Sequence, residues 1–339
     1  MLALKKIKIN EFDSFRRKHF PESDFLQSPS WGEAYAKIGF KVFYLGFYEG
    51  KKLEAVAMAI KHPAKRGTYL EIPGGPLFNF DDDRSDELFD ELKDFARKED
   101  CVFVRLRPNL SFSESTISRF ESFGLRKAPM HIHPDCTSVI DLTQSEEDIL
   151  KNMRRQTRYD VRQAEKQGIK IDVLKTKQDF KDFYACQTQT AKRQGFIPSS
   201  EDFILALRES FGKDIRLYCA KNKAKEVLAY AIVLLETPTA IYIEAASTPL
   251  NRRQPGAQAL QWQIIKDAKA LRLERYDLFG IAPDTDYNKK HRYSGVTTFK
   301  RGFGGETVNY IPDFDLVIHP FKYLKTKVIE ETRKRRRHL

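Results

Sequence analysis

The chain has 339 residues, too many for one small core and suited to two domains of ordinary size. Charged residues make up 31% and hydrophobic ones 41%, which excludes a disordered chain, and no window of 18 apolar residues exists to span a bilayer. A formal net charge of +12 with pI ≈ 9.3 favours a polyanionic partner: RNA, anionic lipid head groups or a pyrophosphate-linked substrate.

Residues 1–40 begin with a short strand and a helix, then the turn FLQSPSW, where Ser30 is a candidate N-cap for a helix over 31–38. Alternation over 41–48, a polar turn and a second run over 53–60 predict a hairpin. A third strand over 67–72 ends at PGGP (73–76), which reads as loop. Apolar residues at 88, 89, 92 and 95 give a 3.6-residue period and a helix over 85–98, followed by a strand over 102–107. His131 and His133 form an HxH that reads as solvated loop. Cys101, Cys136, Cys186 and Cys219 lie far apart without metal-ligand spacing, as reduced packing residues of a cytoplasmic protein do.

The most basic stretch, 145–167, reads as one helix with Ser145 and Asp148 as a capping box and Gly168 as its stop. Arg154, Arg155, Arg158 and Arg162 cover much of its polar side, a candidate phosphate-contacting surface or simply a solvated face. The second half then repeats the order of the first. A hairpin over 215–220 and 227–235, a strand over 240–245, a helix over 258–271 and a strand over 276–279 follow at an offset of about 174 residues, which points to duplication. This order is that of an acetyltransferase-like fold, an α/β (α+β) class with mixed sheets flanked by helices. Two such domains would leave a cleft between them for substrate.

The stretch TTFKRGFGGE (297–306) sets Lys300 between Phe299 and Phe303 and beside Gly302, Gly304 and Gly305. Glycines there would let the backbone approach a ligand, and the lysine could bring a point charge to a reacting oxygen. The alternative is a hairpin or bulge carrying one exposed lysine. The tail RKRRRH (333–338) reads as the frayed end of a last helix.

Several of these segments together resemble the Fem aminoacyltransferases, the peptidoglycan bridge-forming enzymes that include lipid II glycyltransferases. They are SVIDLTQSEEDILKNMRRQTRYDVRQAEKQGI (138–169), LQSPSWGEAYAKIG (26–39), YLEIPGGPL (69–77), TAKRQGF (190–196), YDLFGI (276–281) and TTFKRGFGGE with Pro312 and Asp315. The resemblance implies two GNAT-type domains, the first over 1–142 plus 313–339 and the second over 143–312, in the short form without a coiled-coil arm. It implies aminoacyl transfer from aminoacyl-tRNA to the side-chain amine of a muramyl-pentapeptide precursor, as the nucleotide sugar or as lipid II. No metal or redox cofactor is needed.

Carried over by residue, the resemblance puts Lys300 and Phe299 at the reacting ester, Lys37 at the precursor's diphosphate and Tyr242 near the acceptor. The chain departs from the family's pattern at five positions. Glu244 and Ala245 stand for a second tyrosine and a glycine, Ser199 and Phe203 for an arginine and a tyrosine, and Gly74 for a larger side chain. The arginines of the basic helix and the Arg-rich tail would hold tRNA, and the inner membrane face where the acceptor is lipid-linked. Asp277 and Glu244 are candidate bases by location. Three alternatives remain at this stage. Arg253-Gln-Pro-Gly256-Ala-Gln258 partly fits the pyrophosphate loop of a CoA-dependent acetyltransferase, although Pro255 removes a donor and Gln258 would crowd the phosphates. A non-catalytic RNA- or membrane-surface-binding protein would need only the basic segments, and a protein-directed aminoacyl-tRNA transferase would use the same second domain and tRNA with a peptide N-terminus as acceptor.

Overall fold

The computed structural model describes residues 1–64, 67–283 and 294–337. Two compact units divide the chain, Met1–Asp135 with Asn309–Leu339, and Cys136–Val308. The boundary expected after residue 142 thus lies earlier, because the strand Cys136–Asp141 pairs into the second sheet.

The first unit runs β1 (Leu2–Lys6), α1 (Ile9–His19), α2 (Pro29–Lys37), β2 (Lys41–Glu49), β3 (Lys52–His62), β4 (Tyr69–Gly74), α3 (Ser85–Lys98), β5 (Phe103–Pro108), α4 (Glu114–Ser122) and β6 (Arg126–Lys127). The second runs β7 (Cys136–Asp141), α5 (Glu146–Asn152), α6 (Arg155–Lys166), β8 (Lys170–Leu174), α7 (Lys177–Gln194), α8 (Glu201–Phe211), β9 (Ile215–Lys221), β10 (Val227–Glu236), β11 (Thr239–Ser247), α9 (Gly256–Ala270), β12 (Arg275–Asp277), α10 (Ser294–Arg301) and β13 (Glu306–Asn309). The chain then returns to the first unit with β14 (Phe314–Val317) and α11 (Pro320–Arg337).

Each unit holds a mixed sheet, ordered β1-β2-β3-β4-β5-β14-β6 in the first and β13-β7-β12-β11-β10-β9-β8 in the second. In both, an antiparallel run of four strands, β1–β4 and β8–β11, is followed by one parallel pair, β4 with β5 and β11 with β12. A helix joins the two parallel strands, α3 in one unit and α9 in the other, as parallel pairing requires. Both β4 and β5 are buried along their whole length, the signature of strands covered on two faces. Phe43, Phe47, Phe89, Phe120 and Phe314 fill the core of the first unit; Tyr218, Tyr276, Leu260, Ile264 and Phe303 fill that of the second.

Several local expectations change. The N-cap of α2 is Ser28, whose Oγ accepts from Trp31 N at 3.2 Å, because Pro29 takes the first helical position, where its missing N–H is not needed. Strand β4 runs through Pro73 and Gly74 rather than stopping before PGGP. The buried Gln27 amide makes this possible, donating to Pro73 O (2.6 Å) and Met58 O (3.1 Å) and accepting from Met58 N (2.8 Å). His133 is not solvated loop: its Nε2 lies 2.9 Å from Glu71 Oε1, and His62 Nε2 lies 2.7 Å from Glu71 Oε2. Burial alone would raise the pKa of Glu71, but its hydrogen bonds with His133 and His62 outweigh it and hold the group at about 2.

The tail is helical to Arg337, and its final His338 lies outside the described residues. Arg105 on β5 anchors β14 and α11, donating to both Asp315 oxygens (2.7 and 2.8 Å) and to Glu330 (2.9 Å), all of them buried. None of the four cysteines is in a disulfide, and Cys101, Cys136 and Cys219 are buried.

Candidate active site

Lys300 lies in the last turn of α10, not in a hairpin, and is buried with 9% of its surface exposed. Its ammonium donates to the carbonyls of Phe279 and, at 2.9 Å, Gly280. These carbonyls converge because the backbone turns left-handed there, at φ 53° for Phe279 and 32° for Gly280. A non-glycine residue holds that conformation only when its surroundings impose it. Asp277 does so: its Oδ1 accepts from Phe279 N at 2.7 Å and is itself bound by the Thr137 hydroxyl. Helix α10 is stitched to the same segment twice more. Ala282 N donates to Thr297 Oγ1 (2.9 Å), and Arg301 donates to Ala282 O (3.1 Å).

Burial lowers the Lys300 pKa from 10.5 to about 8, against the opposing pull of Asp277 and Glu244. Two carbonyls use two of its three N–H groups. Among the described residues no third acceptor is seen, so the third N–H could serve a group that becomes negative, in a site where little water competes.

Tyr242 and Glu244 come from β11, on either side of a β-bulge. Ile232 pairs with Glu244 and Val233 with Tyr242, so Ile243 is the extra residue. The bulge re-aims the strand at the lysine, whose Nζ sits 5.6 Å from the centre of the Tyr242 ring. Glu244 accepts from Gln187 Nε2 on α7 and from Ser199 Oγ, both at 2.5 Å. Both donors are neutral, so burial prevails and the Glu244 pKa is raised. Two departures from the family's pattern, Ser199 and Glu244, thus touch each other: a hydroxyl and a carboxylate pair where an arginine and a tyrosine were expected. Nothing in the residue order reveals that contact.

Phe299 packs edge-on against Phe303 at 5.2 Å, beside the core of the second unit. Phe203 is half-buried in the first turn of α8, its N–H capped by Ser200 Oγ at 3.2 Å. Lys37 and Gly74 belong to the first unit. Lys37 ends α2, with its ammonium 3.4 Å from Glu33. Gly74 has φ +67°, and a Cβ there would meet Asp24 Cβ at 2.7 Å, so a larger residue does not fit this backbone.

The glycines after Lys300 serve packing rather than approach to a ligand. A Cβ on Gly304 would sit 2.3 Å from Asn152 O, and one on Gly305 would sit 2.7 Å from Ser138 Oγ. This contact also breaks the basic segment. Met153 and Arg154 are extended, Arg154 N donates to Gly302 O at 2.9 Å, and the expected single helix becomes α5 and α6. Ser145 caps α5 by accepting from Asp148 N at 3.1 Å. Arg158 does not join an open basic face. Its Nη1 donates to the carbonyls of Leu150 (3.0 Å), Lys151 (2.8 Å) and Met153 (3.1 Å), capping the end of α5. Arg154, Arg155 and Arg162 are exposed.

The start of α9 does not resemble an open pyrophosphate cradle. Ala257 N donates to Asn251 Oδ1 at 2.8 Å, and a Cβ on Gly256 would meet Leu228 Cβ at 2.5 Å, so the glycine is there for packing. An internal side chain thus takes the N–H that a phosphate would need.

The FemAB family matches residues 7–228 and 218–331, nearly the whole chain. The chain belongs to the FemAB family. Over its length it has the fold of a crystal structure of FemX, with a TM-score of 0.83 at 16% identity, covering 96% of this chain and 100% of that one. It also shares the fold of a tandem GNAT protein from the clavulanic acid biosynthesis pathway (TM-score 0.55, 11% identity, 93% and 97% covered), in keeping with two acetyltransferase-like units. A lipid II:glycine glycyltransferase of Staphylococcus haemolyticus is 22% identical over 232 residues, 64% of this chain. That match covers 55% of the relative, so the FemAB chain spans about half the length of the curated protein.

Proposed function

We propose that this chain transfers an aminoacyl group from aminoacyl-tRNA to the side-chain amine of a peptidoglycan-precursor stem peptide, UDP-MurNAc-pentapeptide or lipid II, forming an interpeptide bridge. The observation that carries the reading is Lys300: a desolvated ammonium held by two carbonyls in a FemAB-family chain, with one donor left over. The similarity to a staphylococcal lipid II:glycine glycyltransferase supports the substrate class.

An aminoacyl ester is already activated, so catalysis here is positioning plus stabilisation of charge. The acceptor amine adds to the ester carbonyl, and the oxygen that becomes negative is met by the free N–H of Lys300. The C–O bond to the tRNA ribose then breaks, the ribose oxygen takes up a proton and the amide remains. We assign the ammonium proton of the acceptor to Glu244, whose raised pKa suits a base and whose position is set by Gln187 and Ser199. In this proposal Phe299 and Tyr242 wall the ester and Phe203 contacts the acceptor, all within the second unit, while Lys37 and Gly74 are the first unit's own candidate contacts to the precursor. Arg154, Arg155 and Arg162 contact tRNA phosphates. With a lipid-linked acceptor the protein works at the inner membrane face.

The experiment is transfer of radiolabelled amino acids from a charged tRNA pool to nucleotide-linked muramyl pentapeptide and to lipid II, beside a parallel acetyl-CoA reaction. Label on either precursor supports the proposal. Acetylation without label on either would replace it.

A further inference from the structure

Helix α11 carries its polar and apolar faces the wrong way round for a surface helix. Tyr323, Thr326 and Glu330 point inward, at 3%, 0% and 2% exposure. Tyr323 Oη donates to Asp315 Oδ2 at 2.8 Å, and Glu330 accepts from Arg105 Nη2 at 2.9 Å. Phe321, Leu324 and Val328 repeat the same spacing two residues earlier, which places them about 200° away around the helix. They are 95%, 61% and 55% exposed.

The helix cannot roll to hide this stripe. Half a turn would withdraw Glu330 and Tyr323 from the buried Arg105–Asp315 pair and leave an imperfectly compensated charge inside the first unit.

The residues beside the stripe say what covers it. Lys322, Lys325 and Lys327 are exposed there, and the helix sequence holds eight Lys or Arg against two Glu. A second copy of α11 would bring the same positive charge against itself. An RNA would use the lysines but leave Leu324 and Val328 unburied. An anionic bilayer satisfies both, since apolar side chains enter the acyl boundary while lysines meet lipid phosphates. No helix among the described residues is long and apolar enough to cross a membrane, so such contact lies in the plane of the surface.

We infer that α11 is an interfacial helix that docks the protein on anionic lipid through Phe321, Leu324 and Val328, flanked by Lys322, Lys325 and Lys327. This gives the membrane-face part of the proposed function a specific surface, and it depends on no step of the reaction.

The test is co-sedimentation of the full chain with phosphatidylcholine vesicles that contain or lack phosphatidylglycerol. The chain partitions onto the anionic vesicles in a salt-sensitive way. The variant F321S/L324S/V328S, altered only at exposed positions, loses about 100-fold of that partition. The variant K322Q/K325Q/K327Q loses about 100-fold as well, together with most of the salt dependence. Thermal melts of both variants match the parent. Parent binding to neither vesicle, or unchanged partition of the serine variant, overturns the inference. So does a parent dimer, seen by equilibrium sedimentation, that the serine variant lacks. Transfer to the soluble nucleotide-linked acceptor is expected to be intact in both variants. Lost vesicle binding with intact transfer would therefore be the expected variant phenotype, whereas a parent that binds vesicles but never transfers would refute only the proposed reaction.

Discussion

Replacing Lys300 by Met should change how stability depends on pH, in a direction set by burial. The folded pKa is about 8 and the ordinary value is 10.5, so the unfolded chain holds a proton between those values that the folded chain has lost. Stability rises with pH wherever the unfolded state binds more protons. The parent protein should therefore gain about 3 kcal/mol of unfolding free energy between pH 8 and 10.5 relative to Lys300→Met, which has no such proton to lose. Below pH 8 the full penalty of the buried charge is present, offset only in part by the carbonyls of Phe279 and Gly280. The assay is urea unfolding of both proteins at half-unit pH steps. Taking the difference between them cancels the buried tyrosines, which also titrate at the alkaline end. Parallel curves for the two proteins would refute a desolvated ammonium at this position.

Asp315→Ala should cost about 3–5 kcal/mol of stability in urea unfolding, since Arg105 then loses its bidentate carboxylate partner and keeps the single contact to Glu330 as its hydrogen-bonded counter-charge. A loss below about 1 kcal/mol would mean that water reaches Arg105 in the variant. Glu71 has a folded pKa depressed from 4.5 to about 2, so its contribution is complete above about 4.5 and disappears as pH falls toward 2. In acid titrations Glu71→Gln should remove about 3 kcal/mol of that pH-dependent loss, and an unchanged acid transition would contradict the pairing with His62 and His133. Gly304→Ala should destabilise by about 3 kcal/mol, because φ is +79° and the new methyl meets Asn152 O; a neutral result in thermal melts would show that the loop can move aside.

Much of the architecture is legible in the chain because local pattern and tertiary burial agree there. The helix over 85–98 has the expected bounds since its apolar period is its core face. The repeated order is visible because both units need the same succession of antiparallel strands, crossover helix and parallel partner. The misses share a cause: a distant side chain or backbone atom decides the local conformation. Arg154–Gly302 and Asn152–Gly304 contacts split a helix whose propensity runs unbroken from 145 to 167. Gln27 holds β4 extended through Pro73 and Gly74. Glu71 draws in His133 from 62 residues away.

The same holds at the candidate site. Lys300 stands out in the sequence, but the turn that receives it owes its shape to Asp277, and the partnership of Ser199 with Glu244 spans 45 residues. The reversed faces of α11 are also hidden in the sequence, because the buried Arg105 that turns Glu330 inward lies 225 residues away.

The central claim is that Lys300 supplies charge to the oxygen that becomes negative during transfer. It is tested most directly by single-turnover transfer from pre-charged tRNA, comparing the parent with Lys300→Ala at saturating acceptor. Removing one such donor predicts a rate roughly 100- to 1000-fold lower, with tRNA affinity little changed. A rate within tenfold of the parent, or a loss accounted for wholly by weaker tRNA binding, would contradict it.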